Sequence, residues 1–348
     1  MPKIELKNVY KIFGEEPQSV LPLIKNGATK EEILEDTDHT VGLDNVSICV
    51  EEGETFVCMG LSGSGKSTLI RHINRLIDPT EGEVLVDGVN VLEFNEKELL
   101  ELRRHEMSMV FQRFGLFPHK TVKENVAYGL EVQEKPLEER NQTAEEQIKA
   151  VGLSGFEHQY PSQLSGGMQQ RVGLARALAT NPGILLMDEA FSALDPLIRN
   201  DMQDQLVELQ SKLHKTIVFI THDLDESLKL GDHIGILNDG KLVQVGKPEE
   251  IIMNPADDYV ASFVKDVNRA KVLRAKTIML SPEKYSANGK GSGETYKVLE
   301  NSFIEEFLPL VLEKRSVVEV IDKDGNNMGF ITEKELGQSL SKNLNCAS

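Results

Sequence analysis

The chain runs to 348 residues, 40% of them hydrophobic, enough to bury one large core and a smaller one. Its 38 basic against 56 acidic residues leave a net charge of −18, which argues against nucleic acid as a partner. No stretch approaches the roughly 18 apolar residues of a membrane span, and the N-terminus does not read as a signal peptide, so a membrane role has to run through a separate partner.

The acidity is uneven. Residues 1–264 carry about 25 basic and about 44 acidic side chains, whereas 265–348 carry about 13 and about 12, a shift that suggests a domain boundary near residue 265. Cys49 and Cys58 fall in or beside apolar strand patterns and read as buried structural thiols. With Cys346 they show no metal-ligand spacing, and a reducing cytoplasm fits.

The first informative element is the apolar run "TFVCMG" at 55–60, which feeds the glycine-rich "GLSGSGKST" from Gly60 to Thr68 and then the helical pattern "LIRHINRLI". Strand, glycine loop and helix in that order form a phosphate-binding loop. Gly60, Gly63 and Gly65 let the backbone turn, so that N–H groups of the loop, with Ser62, Ser64 and Thr68, surround a phosphate chain at a helix N-terminus. Lys66 would bridge the β- and γ-phosphates of ATP, and Ser67 would ligate Mg²⁺. Further on, Gln112 in "VFQRFGLFPH" stands at a strand-to-loop transition, neutral and able to touch both a metal shell and an attacking water. Residues 131–160 are charged and read as largely helical.

"LSGGMQQRVGLARALA", Leu164 to Ala179, is a polar glycine turn opening an amphipathic helix. It has no carboxylate, histidine or cysteine, so it supplies no acid, base or nucleophile, yet its helix N-terminus is a second anion-binding device. "ILLMDEAFSALD", Ile184 to Asp195, puts Asp188 and Glu189 at the end of a buried strand. Asp188 suits a Mg²⁺ shell, and Glu189, on the opposite face, could polarise a water in line with a γ-phosphate. "TIVFITHD" ends a third strand on His222, where a γ-phosphate contact is needed. Such β-branched runs feeding helices mark a mostly parallel α/β sheet covered on both faces. An Asp-Gly hairpin signal follows in "LNDGKLVQVGKPEEI", and 283–297 reads as a polar glycine- and serine-rich linker or loop.

Taken together, the phosphate-binding loop, glutamine loop, "LSGGMQQR", "LLMDEAFSALD" and the following histidine, in this order, resemble the nucleotide-binding subunit of ATP-binding-cassette (ABC) transporters over about residues 1–265. The resemblance implies a P-loop NTPase domain with a helical subdomain, working head to tail with a second copy of itself. Ser165, Gly166 and Gly167 would then face the ATP held by the partner copy, and Asp195 would lie along the same interface. An aromatic residue before the first long loop would stack on adenine, a place that Phe13 matches better than Tyr10. The segment "VFQRFGLFPHKTVKENVAYGL", with Phe114, Leu116 and Phe117 taken as exposed, would form the groove for a membrane permease subunit. Such a subunit sits at the cytoplasmic face of the cell membrane and meets an extracytoplasmic solute-binding protein only through the complex.

Within the family, a helical insertion of roughly Glu15 to Val41 and the wording of the motifs resemble quaternary-amine importers for glycine betaine and proline betaine, which serve osmoprotection. Residues 266–348 begin "DVNRAKVLRAKTIML", and "SFIEEFLPLVLEKRSVVEVIDKDGNNMGFITEKELGQSL" has the helix, strand, Asp-Gly turn, strand and helix of one cystathionine-β-synthase-type (CBS) module, a small α+β regulatory fold. Two modules normally pair, and here the first is reduced to the glycine-rich stretch. Cyclic di-AMP and anionic lipid are the ligands that the resemblance implies for it, beside a purely structural dimerisation role.

Overall fold

Three strands end side by side at one edge of a six-stranded sheet, and that edge positions the site. The computed structural model describes residues 1–112, 115–192, 194–287, 295–314 and 316–341. The chain forms two compact units, Met1–Val245 and Gly246–Ser348. The composition shift near 265 suggested a later division. Two helices make the difference, Pro248–Met253 and Asp258–Val264, whose Ile251, Ile252, Val260 and Val264 are buried in the second unit.

The strands of the first unit are β1 (Ile4–Phe13), β2 (Thr40–Val50), β3 (Thr55–Met59), β4 (Glu81–Val86), β5 (Val89–Asn90), β6 (Met107–Val110), β7 (Ile184–Asp188), β8 (Thr216–Thr221), β9 (His233–Asn238) and β10 (Lys241–Gly246). The larger sheet has the order β10-β9-β3-β8-β7-β6. β3, β7 and β8 are buried at every position and run parallel, as their unbroken apolar runs require. Register then does the functional work: Met59 pairs with Thr221, and Asp188 with Ile220, so the residues that follow each strand emerge together. β9 and β10 are joined through Asp239 and Gly240, both at positive φ (46° and 77°), as the Asp-Gly signal predicts.

The second sheet, β2-β1-β4-β5, is antiparallel and was not anticipated in the sequence. Its apolar face (Ile4, Leu6, Val46, Ile48, Val84) shares one core with Phe56, Cys58, Val218 and Ile220 and with Leu69, Ile70 and Ile73 of the Lys66–Ile73 helix. β2 alternates, which turns Cys49 outward with its Sγ 3.7 Å from Glu51. Of the two expected buried thiols, only Cys58 is buried, and there burial pushes the thiol up to about 12.

The insertion folds as expected into helical pieces, Leu21–Lys25 and Lys30–Thr37. The second starts from a Thr29–Glu32 capping box, and both pack on Tyr10, Ile12 and Val41. In the middle of the chain the helices Val122–Val132, Leu137–Ala150 and Gly166–Ala179 pack on one another. The stretch expected to be largely helical to residue 160 stops at Ala150, where Gly152 and Gly155 take positive φ and turns follow.

His72 is wholly buried on the Lys66–Ile73 helix. Its Nδ1 lies 2.6 Å from the carbonyl of Ile77, while Nε2 is buried without a partner among the described residues. A second proton would put an N–H where nothing accepts it, and burial lowers the ring to about 4 from 6.5. A lowered folded-state value means that the unfolded chain binds the extra proton between these values. The stabilisation is therefore present above pH 6.5 and lost as pH falls toward 4. Urea unfolding at pH 5 should show about 2 kcal/mol less stability from this ring than at pH 7, a loss that His72→Gln abolishes. An unchanged pH slope in that variant would contradict the assignment.

In the second unit, β11 (Thr295–Leu299) pairs parallel with β12 (Val317–Ile321), which pairs antiparallel with β13 (Asn327–Ile331). Between β12 and β13 the Asp322 carboxylate accepts from the N–H groups of Asp324 (2.9 Å) and Asn326 (2.8 Å), and Gly325 stands at φ 85°, the expected Asp-Gly turn. The helices Ile304–Lys314 and Glu333–Leu340 complete the order expected for one module. The stretch 283–297 is not a linker throughout. Tyr285, on the helix Pro282–Ala287, stacks on Phe330 at 4.3 Å, and residues from Thr295 onward belong to β11; residues 288–294 lie outside the described residues.

Candidate active site

The loop after β3 is shaped by its glycines. Gly60, Gly63 and Gly65 sit at φ 153°, 82° and 103°. A Cβ on Gly60 would lie 2.2 Å from the carbonyl oxygen of Leu237, and one on Gly65 would lie 2.5 Å from that of Gly42, so neither position admits a side chain. Lys66, the first residue of the next helix, donates from Nζ to the carbonyls of Gly60 and Leu61, each at 2.8 Å. Burial lowers its pKa, and Glu189, Cys58 and Asp188 oppose that shift. The Ser64 hydroxyl is buried and has no hydrogen-bond partner among the described residues, an orphan donor inside the turn that an anion would satisfy. Ser62 and Gly63 are exposed, and Thr68 follows Ser67 into the helix.

Ser67 Oγ donates to Asp188 Oδ1 at 2.8 Å, joining the β3 loop to the end of β7. A hydroxyl beside a carboxylate is an oxygen donor pair suited to Mg²⁺, which takes one or two carboxylates and fills its shell with water and phosphate oxygens. No group of three or more His, Cys, Asp or Glu side chains that could hold a metal occurs among the described residues. Glu189, at φ 45°, turns away from Asp188. Its Oε2 accepts from Gln112 Nε2 at 2.7 Å and stands 3.9 Å from His222 Nδ1. One cluster therefore gathers Gln112, Glu189 and His222, each just past a strand of the parallel sheet. Arg71, 3.4 Å from Asp188 Oδ2, escaped the sequence reading, although it lies one helical turn beyond Ser67 on the same face.

The second glycine turn opens a helix of its own, Gly166–Ala179. Ser165 caps its helix, with Oγ accepting from Met168 N at 3.3 Å. Gly166 begins the helix, and a Cβ on Gly167 would lie 2.6 Å from Ile198 Cγ2. Among the described residues no hydrogen bond joins Ser165, Gly166 or Gly167 to the Gly60–Thr68 loop. Asp195 caps the helix Pro196–Leu213, accepting from Ile198 N at 3.2 Å. Near the end of β1, Phe13 is 40% exposed with Lys11 Nζ 5.0 Å from its ring, whereas Tyr10 is 8% exposed and belongs to the core. Leu116 and Phe117, expected to be exposed, are half-buried: Phe117 packs on Tyr128 at 4.5 Å, and its backbone is gripped by Asn125 at 2.8 and 3.1 Å. Phe114 lies outside the described residues.

The pattern of the ABC transporter family matches residues 43–192. The glycine betaine/carnitine transport ATP-binding protein GbuA of Listeria monocytogenes is 59% identical over 283 residues, covering 81% of this chain and 71% of the relative. The chain belongs to the ATP-binding subunits of ABC transporters. The trimethylamine N-oxide transport ATP-binding protein TmoW of Pelagibacter ubique is 46% identical over 330 residues, 95% of each chain. Among solved structures, the dimeric ABC transporter cassette MJ0796 aligns at TM-score 0.60 and 37% identity, covering 70% of this chain and 98% of that chain, and it is also known in a post-hydrolysis state with ADP and Pi. As a member of the family the protein is an ATP-binding ATPase coupled to transport, one component of a membrane transport system. No helix among its described residues is long and apolar enough to cross a membrane.

Proposed function

We propose that this chain is the ATP-hydrolysing subunit of an importer for glycine betaine- and proline betaine-type compatible solutes. The observation that carries this reading is the 59% identity to a glycine betaine/carnitine system across most of the chain. A second solute, trimethylamine N-oxide, is favoured by a different observation: the relative named for it matches end to end, at 95% of each chain. Glycine betaine and trimethylamine N-oxide are both compact trimethylated dipoles. The subunit would be assembled with its permease and solute-binding protein in vesicles, and ATP turnover measured with each solute. Stimulation by glycine betaine or proline betaine supports the first reading, stimulation by trimethylamine N-oxide alone supports the second, and stimulation by neither removes both.

In this reading ATP lies across the β3 loop with its adenine on Phe13. Lys66 holds the β- and γ-phosphates, Ser67, Gln112 and Asp188 provide oxygen ligands for Mg²⁺, and His222 reaches the γ-phosphate. Mg²⁺ supplies charge neutralisation to the phosphates when bound. Glu189 orients and polarises the attacking water, with Gln112 fixing its carboxylate. A head-to-tail pair, in which the helix N-terminus at Ser165–Gly167 and Asp195 complete the partner's pocket, is supported by the likeness to a cassette solved as a dimer. The chain would then lie at the cytoplasmic face of the membrane, attached through the permease. The second unit is its regulatory part, with cyclic di-AMP and anionic lipid as the ligands to test first.

Adenine stacking is worth about 0.5–1.5 kcal/mol. Phe13→Ala should therefore raise the KM for ATP about three- to tenfold with kcat nearly unchanged, and Phe13→Trp should restore it. ATP titration of turnover decides this; an unchanged KM would leave Phe13 without the role.

A further inference from the structure

One helical turn, at the start of Pro196–Leu213, touches parts of the chain that the proposed dimer assigns to two different nucleotides. Ile198 packs against Gly167 of the second glycine turn, Ser165–Gly167, the signature turn that in this reading serves the partner's ATP. The next residue, Arg199, donates from Nη2 to the carbonyl of Leu194 at 3.2 Å, just before the capping Asp195, and from Nη1 to Asp223 Oδ2 at 3.3 Å. Asp223 directly follows His222, which serves the chain's own ATP.

Asp223 is held on every side. Its N–H donates to Thr221 Oγ1 (3.0 Å), its Oδ1 accepts from Glu226 N (3.2 Å) and its carbonyl accepts from Ser227 Oγ (2.9 Å). The strand end bearing His222 therefore follows Asp223. Farther along, Gln203 donates to Glu226 (3.1 Å) and Lys229 pairs with Asp204 (2.7 Å), fastening the helices Pro196–Leu213 and Leu224–Leu230 into one piece. A planar guanidinium offers a carbonyl and a carboxylate separate N–H groups in one rigid fork, whereas a lysine ammonium offers a single point charge on a flexible stem.

We propose that Arg199 is a positioning residue that transmits the state of the signature turn to His222 of the same chain, so that the two pockets of the dimer respond to each other. Resting on the shared-pocket reading above, it adds a path inside one chain between two sites on different nucleotides. When the partner's ATP draws in Ser165–Gly167, Ile198 is carried along, and Arg199 moves Asp223 and with it His222. The coupling is reciprocal, as any linkage between binding equilibria must be.

The test uses the full chain and follows turnover against ATP concentration. Wild-type protein should give a Hill coefficient above one. Arg199→Gln should lower it to the value that ATP-driven dimerisation alone gives and lower kcat about fivefold or more, with binding of a fluorescent ATP analogue within about twofold. Asp223→Asn keeps the helix-capping oxygen while breaking the ion pair, so it tests the link even where Arg199→Gln folds poorly. It should match Arg199→Gln, and the double variant should be no worse than either. Arg199→Lys should fall between. An unchanged Hill coefficient in Asp223→Asn overturns the proposal, as does equal loss of nucleotide binding and melting temperature, which would mark plain structural damage. ATP-dependent dimerisation of Glu189→Gln with Arg199 intact separates the two levels: without dimers the shared-pocket reading fails, and with dimers but no Arg199 effect only the coupling fails.

Discussion

Glu189→Gln is expected to lower ATP turnover by at least about a hundredfold while leaving ATP binding intact, because the change removes a base but hardly alters shape. The amide can still meet Gln112 Nε2, which now stands 2.7 Å from the carboxylate, so the local geometry survives. It also removes a negative charge beside the place proposed for the γ-phosphate. The closed, ATP-loaded dimer should therefore accumulate, visible as an ATP-dependent shift to twice the mass in sedimentation. Full hydrolysis by this variant would take the role of base from Glu189.

Lys66→Ala should fail earlier in the cycle. The Lys66 ammonium is buried, feels the charges of Glu189 and Asp188, and among the described residues is held by the two carbonyls of Gly60 and Leu61 at 2.8 Å. Turning from those carbonyls to phosphate oxygens gains charge-assisted bonds, each worth about 1.5–3 kcal/mol. Losing two of them should weaken ATP binding by at least about a hundredfold. Equilibrium binding of a fluorescent ATP analogue checks this, with circular dichroism confirming the fold. Retained affinity would mean that the glycine loop alone carries the phosphates.

The two variants separate binding from chemistry within a cluster whose members could be read in the sequence because each follows a strand of one parallel sheet. Unbroken apolar runs at 55–59, 184–188 and 216–221 announced strands buried on both faces, and register then brings Lys66, Asp188 and His222 to one edge. The antiparallel sheet hid itself. β1 carries Asn8 at φ 48° and shifts register between Leu6 and Val9 and again between Val9 and Lys11, so its apolar residues lose the period of two that marks a strand. Cys49 went astray for a related reason: residue type suggested burial, but alternation along β2 decided the face. The half-burial of Phe117 depends on Tyr128 and Asn125, eight or more residues away, and no local pattern reports it. Arg199 lies deeper still, since its carboxylate partner, Asp223, is brought to it by tertiary packing.

If neither copy owns a complete pocket, specific ATPase activity over a dilution series, with mass followed in parallel, will show it. Shared pockets predict activity per chain that falls on dilution in step with loss of the dimer and vanishes in Ser165→Arg at all concentrations. Constant activity per chain down to a monomeric solution would contradict it.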